Sequence, residues 1–344
     1  MAISFSLLTR ENALAAHSLL RRTSGRQNWS NEFSERMFEW RFFARRCGET
    51  LLALDGERCV AILDAFLRPY LVSGRCITVR ETCDWFCLPE YRPLGVGLRL
   101  MRLMMAKPEP IVVIGGAQST RSLLPKLKWQ SLCSVSDYVL PVSLRGVTGF
   151  GMRLLLERAE KLARLIPPQI KLRRPRRLKG AGASVQVTDG VSGQMLPLPA
   201  HDAYGVASLM DEENLRWLAL APQEIGDLVT LNFFVDGVPV GISTSRLMEH
   251  VEGRTAKLLH IQSALQSHAM LEWIISETAQ QLVARGAGLI TCRASCPVVG
   301  AALRRVGFLF VRALPAFWWS GGIAPPTGTM HLTMIRGDDA LGKF

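Results

Sequence analysis

Residues 78–105 read TVRETCDWFCLPEYRPLGVGLRLMRLMM and carry the densest chemistry of the chain. A β-branched and aromatic run ends at Pro89. Arg92, Gly95 and Gly97 follow, and at once an apolar stripe at helical spacing: Leu98, Met101 and Met105. A strand, a tight glycine loop and a helix N-terminus make a cradle for an anion. Glycine lets the main chain approach a ligand closely, the first N–H groups of a helix have no internal partner, and the helix dipole favours negative charge. Arg92 adds a fixed cation at the rim. The ligand such a cradle suits is a pyrophosphate, held by the amides of Gly95, Val96, Gly97 and Leu98. A dinucleotide-binding loop needs a third glycine, where this chain has Leu100, and an acidic residue ending the next strand, where it has Gly115-Gly116. A Walker A loop needs Gly-Lys-Ser/Thr, which does not follow. The spacing excludes both.

Other reactive residues do not combine. Cys83-x3-Cys87 and Cys292-x3-Cys296 lie in strand-like runs of different halves, whereas a zinc site pairs such cysteines with a second set close by. The six histidines form no HxH or HExxH pattern, so no metal is expected. The eight cysteines, without a secretion signal, read as reduced, buried thiols.

The elements that must position the glycine loop occur twice. An amphipathic helix reaching Trp40, a strand, an Asp55-Gly56 turn and the strand CVAILDAFL are answered by a helix holding Trp217, the strand LVTLNFFV, Asp236-Gly237 and VPVGISTSRL. Asp-Gly between two apolar β-type runs is a strong hairpin signal. Both halves then show a helix, a short buried strand (111–116; 288–294), a helix ending in Trp129 or Phe308, and a last β-run. Offsets of 177 (Trp40 to Trp217), 181 (Asp55 to Asp236) and 179 (Trp129 to Phe308) argue for a duplicated α/β unit. Between the copies lie Pro167-Pro168, KLRRPRRLK and GAGAS, a linker composition. Expected domains are residues 1–150, a helix and basic linker over 151–184, and residues 185–344.

Arg-x-x-Gly-x-Gly between a strand and a helix resembles the coenzyme A loop of the Gcn5-related N-acetyltransferase (GNAT) superfamily. LPEYRPLGVGLRLMRLM looks like that family's strand, loop and helix as a whole, and SLLPKLKW sits where the family has a helix ending in Gly-Phe. Trp40-Arg41-Phe42 with the Asp55-Gly56 hairpin is similar to one branch of long bacterial members. The match covers about residues 50–142. The second half resembles the fold through GAALRRVGF, but the counterpart of its loop, LEWIIS at 271–276, has neither glycine nor arginine. The resemblance implies two units, each a mixed, largely antiparallel twisted sheet flanked by helices, with one active and one degenerate copy. It implies acetyl-CoA or a longer acyl-CoA as co-substrate. Acyl transfer needs a donor to the thioester carbonyl, which the main chain of Cys87-Leu88 supplies, and a base for the acceptor amine. Glu81, where several members carry their catalytic carboxylate, is the first candidate and Asp84 the reserve. Strand alternation puts Glu81, Cys83, Trp85 and Cys87 on one face and Arg80 and Asp84 on the other. At the place of the family's acidic tyrosine stands Leu124, leaving Tyr138 or a water to protonate the thiolate.

Composition bounds these readings. With 344 residues, 48% hydrophobic and 20% charged, the chain is globular, neither disordered nor a disulfide-framed miniprotein. No run approaches the roughly 18 apolar residues of a membrane span. The N-terminus lacks a basic start, so a cytoplasmic protein is expected. Of the net charge of +12, eight basic residues fall between Lys161 and Lys179 with no acid among them, leaving +4 elsewhere. The basicity is local and does not mark a nucleic-acid binder; the run 171–179 is a solvated linker or a contact for an anionic partner. The function expected is acyl transfer to a primary amine of a small molecule, amino sugar or peptide. Two alternatives stay open: an aminoacyl-tRNA-dependent transferase of the peptidoglycan-bridge type, and a non-catalytic acyl-CoA-binding module.

Overall fold

The two Asp-Gly turns close the hairpins that start each half. Gly56, Asp236 and Gly237 all have positive φ (59°, 50° and 80°), the handedness that a tight turn between right-twisted strands requires. The structure, a computed structural model, describes residues 2–24, 34–45, 48–143, 182–188, 204–250, 253–264, 267–321 and 325–333. The first half runs β1 (Ile3–Leu7), α1 (Ala13–Ser24), α2 (Glu35–Phe42), β2 (Gly48–Asp55), β3 (Arg58–Val72), β4 (Arg75–Cys87), α3 (Val96–Met105), β5 (Ile111–Ile114), α4 (Gln118–Leu123) and β6 (Gln130–Pro141). The second runs β7 (Ala183–Thr188), β8 (Val206–Ser208), α5 (Glu212–Ala219), β9 (Asp227–Val235), β10 (Val238–His250), β11 (Gly253–Ser263), α6 (His268–Ala284), β12 (Ala287–Ala294), α7 (Pro297–Val306), β13 (Leu309–Trp319) and β14 (Met330–His331). Side-chain caps start the equivalent helices: Ser34 accepts from the Met37 N–H of α2, and Asp211 from the Asn214 N–H of α5.

The halves are not two sheets side by side. Twelve strands follow one path, β1-β2-β3-β4-β5-β13-β6-β12-β11-β10-β9-β7, within a 14-stranded sheet; β8 pairs with β3 and β14 with β8. Read from either end, counterparts appear in the same order, and β13 and β6 meet antiparallel at the centre. Each half thus gives the strand that closes its repeat, β6 or β13, to the other, about a pseudo-twofold axis between the two. Trp40 and Trp217 mark the same axis. Their rings stack at 4.5 Å and 1°, and each indole N–H donates to the other's carbonyl, at 2.8 and 3.0 Å. Such a reciprocal contact is what a twofold interface produces. The sheet is largely antiparallel, as expected; among the described residues only β4–β5, β11–β12 and β8–β14 are parallel.

The exchange divides the core in three. One cluster lies under α1–α3 and includes Phe317 of β13. The second lies under α6 and α7 and includes Tyr138, Leu140 and Val142 from the first half. The third sits at the centre, where Val206, Met330 and Leu332 cover Tyr70, Val79, Val112, Ile114, Val135, Ala316 and Trp318. In space the two copies interleave. The helix expected from Met152 to Leu165 and the basic run 171–179 lie outside the described residues.

Candidate active site

Gly95 precedes α3 with φ 71°, a conformation costly for any other residue. Gly97 is needed for close approach: a Cβ there would stand 3.2 Å from the Cys87 Cβ and 3.5 Å from the Trp85 Nε1, and the Trp85 indole donates to the Gly97 carbonyl at 2.9 Å. This seat turns the helix. Its buried stripe is Val96, Gly97, Leu100, Met101 and Met104, not the expected Leu98, Met101 and Met105. Arg92 folds back and donates from Nε to the Cys87 carbonyl, 2.9 Å, holding its guanidinium at the loop. Burial pushes the Cys87 thiol up, against the opposing pull of the Gly97 N–H and Arg92. Loop, helix start and Arg92 therefore stand together as the sequence implied.

Beside the loop the sheet opens. β4 and β5 pair only at Arg80–Ile111 and Glu81–Val112. β5 then ends at Ile114, while β4 runs on to Cys87, and β13 extends from its last pairing with Ile114 back to Leu309. Past these pairings the two walls part, leaving a gap: β4 from Asp84 to Cys87 and β13 from Leu314 back to Leu309 have no strand between them among the described residues. Cys83 to Phe86 on one wall are half-buried, and Leu309 to Ala313 on the other are exposed. In β4 an extra residue opposes β3 between the pairs Cys83–Asp64 and Phe86–Ile62, and Asp84 takes φ 46°. A bulge of this kind re-aims side chains. It overturns the alternation expected from the sequence: Trp85 and Cys87 face α3, whereas Asp84 joins Cys83 on the side of α2. The bulge also decides the main-chain donors. The Leu88 N–H is used within the sheet, on the Val60 carbonyl at 2.9 Å, so alternation turns the Cys87 N–H into the gap.

The two candidate carboxylates have different surroundings. Glu81, 3% exposed, ion-pairs with Arg68 at 3.0 Å and accepts from the Tyr70 hydroxyl. Asp84 sits at the bulge with 15% of its side chain exposed and ion-pairs with the buried Arg41. Arg41 also lies 3.8 Å from Asp64, which pairs as well with Arg45 and accepts from Thr50 and the Cys83 thiol. Burial alone would raise the Asp64 carboxyl, but Arg45, Arg41 and Thr50 outweigh it and hold it below the usual carboxylate range. Asp64, Cys83 and Asp84 present ligand atoms within 4.8 Å of one another, yet the two arginines already neutralise both carboxylates. Arg41, Arg45, Asp64, Arg68 and Tyr70 were missed in the sequence. The signal was Asp64 itself, a charge inside the apolar strand CVAILDAFL that has to find a cation when buried.

Tyr138, the candidate acid, is not brought to this site, and the place of the family's tyrosine holds a leucine. Leu124 is fully buried. Tyr138 leaves the first unit with the exchanged strand: it lies opposite Cys292 and Phe310, and its hydroxyl accepts from Arg304 of α7 at 3.3 Å.

The second unit's equivalent gap, between β11 and β6, is filled by the chain itself. The His331 Nε2 donates to the Ile261 carbonyl at 2.7 Å, Thr333 bonds His260 at 2.9 Å, and the Leu332 N–H and carbonyl both bond Ser295 just after β12. That unit has lost both the glycine loop and the space.

No family model and no curated protein matches this chain. Solved structures do. A probable N-acyltransferase from Enterococcus faecalis superposes with TM-score 0.59 at 9% identity, over 92% of this chain and 72% of that one. The N-myristoyltransferase of Saccharomyces cerevisiae, with bound myristoyl-CoA, gives 0.58 at 10%, over 94% and 84%. A tandem GNAT protein from the clavulanic acid biosynthesis pathway gives 0.54 at 12%, over 94% and 100%. At such identities the likeness is one of fold, and with the strand order it leads to one conclusion: the chain has the fold of a tandem pair of GNAT units, here exchanging the strands β6 and β13.

Proposed function

We propose that this protein is an acyl-CoA-dependent N-acyltransferase working from its first unit alone. The observation that carries the reading is the conjunction of the Arg92–Leu98 cradle with the gap between β4 and β13, set against a second unit in which both are missing. Solved proteins of the same fold described as N-acyltransferases, one of them holding myristoyl-CoA, support acyl-CoA as the donor. The loop amides and Arg92 take the pyrophosphate. The pantetheine arm runs down the β4 edge, where the Cys87 N–H meets it. The acceptor is a primary amine of a small molecule or peptide. Its proton goes to Asp84, the carboxylate that stands at the bulge and keeps some exposure, with Arg41 as its positioning partner. Glu81 serves instead as the internal partner of Arg68. With leucine at position 124 unable to give a proton and the Tyr138 hydroxyl held by Arg304 of α7, the departing thiolate, conjugate base of a thiol with pKa about 8.5, takes its proton from solvent.

A thermal-shift titration with CoA and acyl-CoAs tests the donor. At about 100 times its dissociation constant a ligand stabilises by roughly 2.7 kcal/mol, and Gly97→Trp should abolish that shift. Arg92→Ala, on the loop surface, should weaken binding about tenfold without changing the unliganded melt. A wild-type protein indifferent to every CoA species would end this reading.

The carboxylates are separated by a second pair of variants. Asp84→Asn should lower turnover about 100-fold or more while coenzyme affinity stays within a factor of two or so. Glu81→Gln should instead lower the melting temperature, because removing one partner of a buried pair costs about 3–5 kcal/mol. Full turnover in Asp84→Asn would return the base to Glu81.

A further inference from the structure

The helix that carries Arg41 is held from the second unit near both of its ends. At its start, the Ser34 hydroxyl that caps α2 donates to Glu224, in the turn after α5. At its end, the stack of Trp40 on Trp217 and the two reciprocal indole bonds fix the turn from which Arg41 projects. Trp217 also packs against Phe66 of β3, ring centroids 5.2 Å apart, and the Arg45 guanidinium lies over Phe66 at 4.2 Å. One side chain of the second unit thus touches both α2, the source of Arg41, and β3, the source of Asp64. The contact is symmetric but its chemistry is not. At the offset of 177 that relates the tryptophans, Arg41 answers to Leu218, which is fully buried. Only the tryptophan of the first unit is followed by a cation. That cation, wholly buried, pairs with Asp84 and lies near Asp64, which Arg45 also holds. A charge group taken out of water holds only while its geometry is kept, because a displaced partner leaves a buried charge uncompensated. Asp84 is therefore only as well placed as α2 is.

Resting on the acyl-CoA reading above, we propose that Trp217 is a positioning residue for acyl transfer: the second unit, without a cradle of its own, sets α2 against β4 and so keeps Arg41 on Asp84, the carboxylate that takes the amine proton. The degenerate copy then serves the chemistry of the active one, because a misplacement of about 1 Å at a reacting group can cost about 100-fold in rate.

The full-length protein tests this in two ways. Cys83 is half-buried, its thiol 3.5 Å from the Arg41 Nη2, whereas Cys292 is buried in the second core. Trp217→Leu should speed alkylation of Cys83 by iodoacetamide about tenfold, mapped by mass spectrometry, and leave Cys292 as it was. Trp217→Phe keeps an aromatic ring but not the bond to the Trp40 carbonyl, and should act in the same direction if the leucine variant folds poorly. Turnover is read with the acyl-CoA that gives the largest thermal shift, and with glucosamine, free amino acids and a hexapeptide as acceptors. The Trp217 variants should lose about tenfold or more in kcat with the KM for acyl-CoA unchanged, and nothing further once Asp84→Asn has removed the group being positioned. A variant unchanged at Cys83, or one in which Cys83 and Cys292 speed up together, would overturn the proposal and leave the donor site standing. So would an equal loss of turnover in the Asp84→Asn background, or a wild type that binds acyl-CoA and acylates none of these amines. A wild type that binds no acyl-CoA would end the donor site and this inference together.

Discussion

Expressed as two chains divided between residues 143 and 182, neither half of this protein is expected to fold alone, and the two together are expected to recover the melt of the intact protein. The reason is the exchange of β6 and β13. Without the second half, β5, four residues long and wholly buried, loses the partner on one side, and Phe317 and Trp318 leave its cores. Without the first, the second core loses Tyr138, Leu140 and Val142. At roughly 1.5–3 kcal/mol for each large buried side chain, the two lost from the first half and the three lost from the second cost about 3–6 and about 4.5–9 kcal/mol, against the 5–15 kcal/mol by which a domain is stable at all. The exposed strand edges would also invite aggregation. Separate expression, then mixing, followed by circular dichroism melts, checks this. A half that melts cooperatively on its own near the temperature of the intact chain would refute an obligatory exchange.

Below pH 6.5 the intact protein should lose stability steeply. Burial disfavours the charged form of His260 and brings it down to about 3; the neighbouring His331 and Arg68 push the same way, and a hydrogen bond to Gln262 opposes them. Burial lowers His331 too, against its bond to the Ile261 carbonyl. In the unfolded chain both would titrate near 6.5, so between that value and their folded values the unfolded state binds more protons and stability falls as pH falls. His260 alone should cost about 1.4 kcal/mol between pH 7.5 and 5.5, and His331 adds in the same direction. Asp64 and Asp137, depressed in the fold, lose their contribution only below about pH 4, where unfolded aspartate begins to protonate. The first loss therefore belongs to the histidines. These hold segment 329–333 in the second gap, so acid should loosen that segment first. Melting temperatures at pH 7.5, 6.5 and 5.5 read the slope, and His260→Asn should flatten it. A flat profile in the wild type, or an equal slope in the variant, would contradict the assignment.

Much of this architecture is written locally. The Asp-Gly turns, the helix caps, the strand–loop–helix around Gly95 and Gly97 and the repeat of the whole series at offsets of 177 to 181 follow from residue types within a few positions of one another. They suffice for two α/β units and for an anion cradle in only the first. Three matters belong to the tertiary structure. SVSDYVLPV and LFVRALPAFWW are both apolar β-runs at equivalent places, and strand pattern specifies which face is buried, not which neighbour is paired; the exchange, and with it the removal of Tyr138 from the site, is decided by how the two copies pack. The bulge at Asp84 depends on the register against β3, which no period-two pattern contains. The filling of the second gap joins His331 and Thr333 to residues some seventy positions earlier, a contact that only the folded chain brings together.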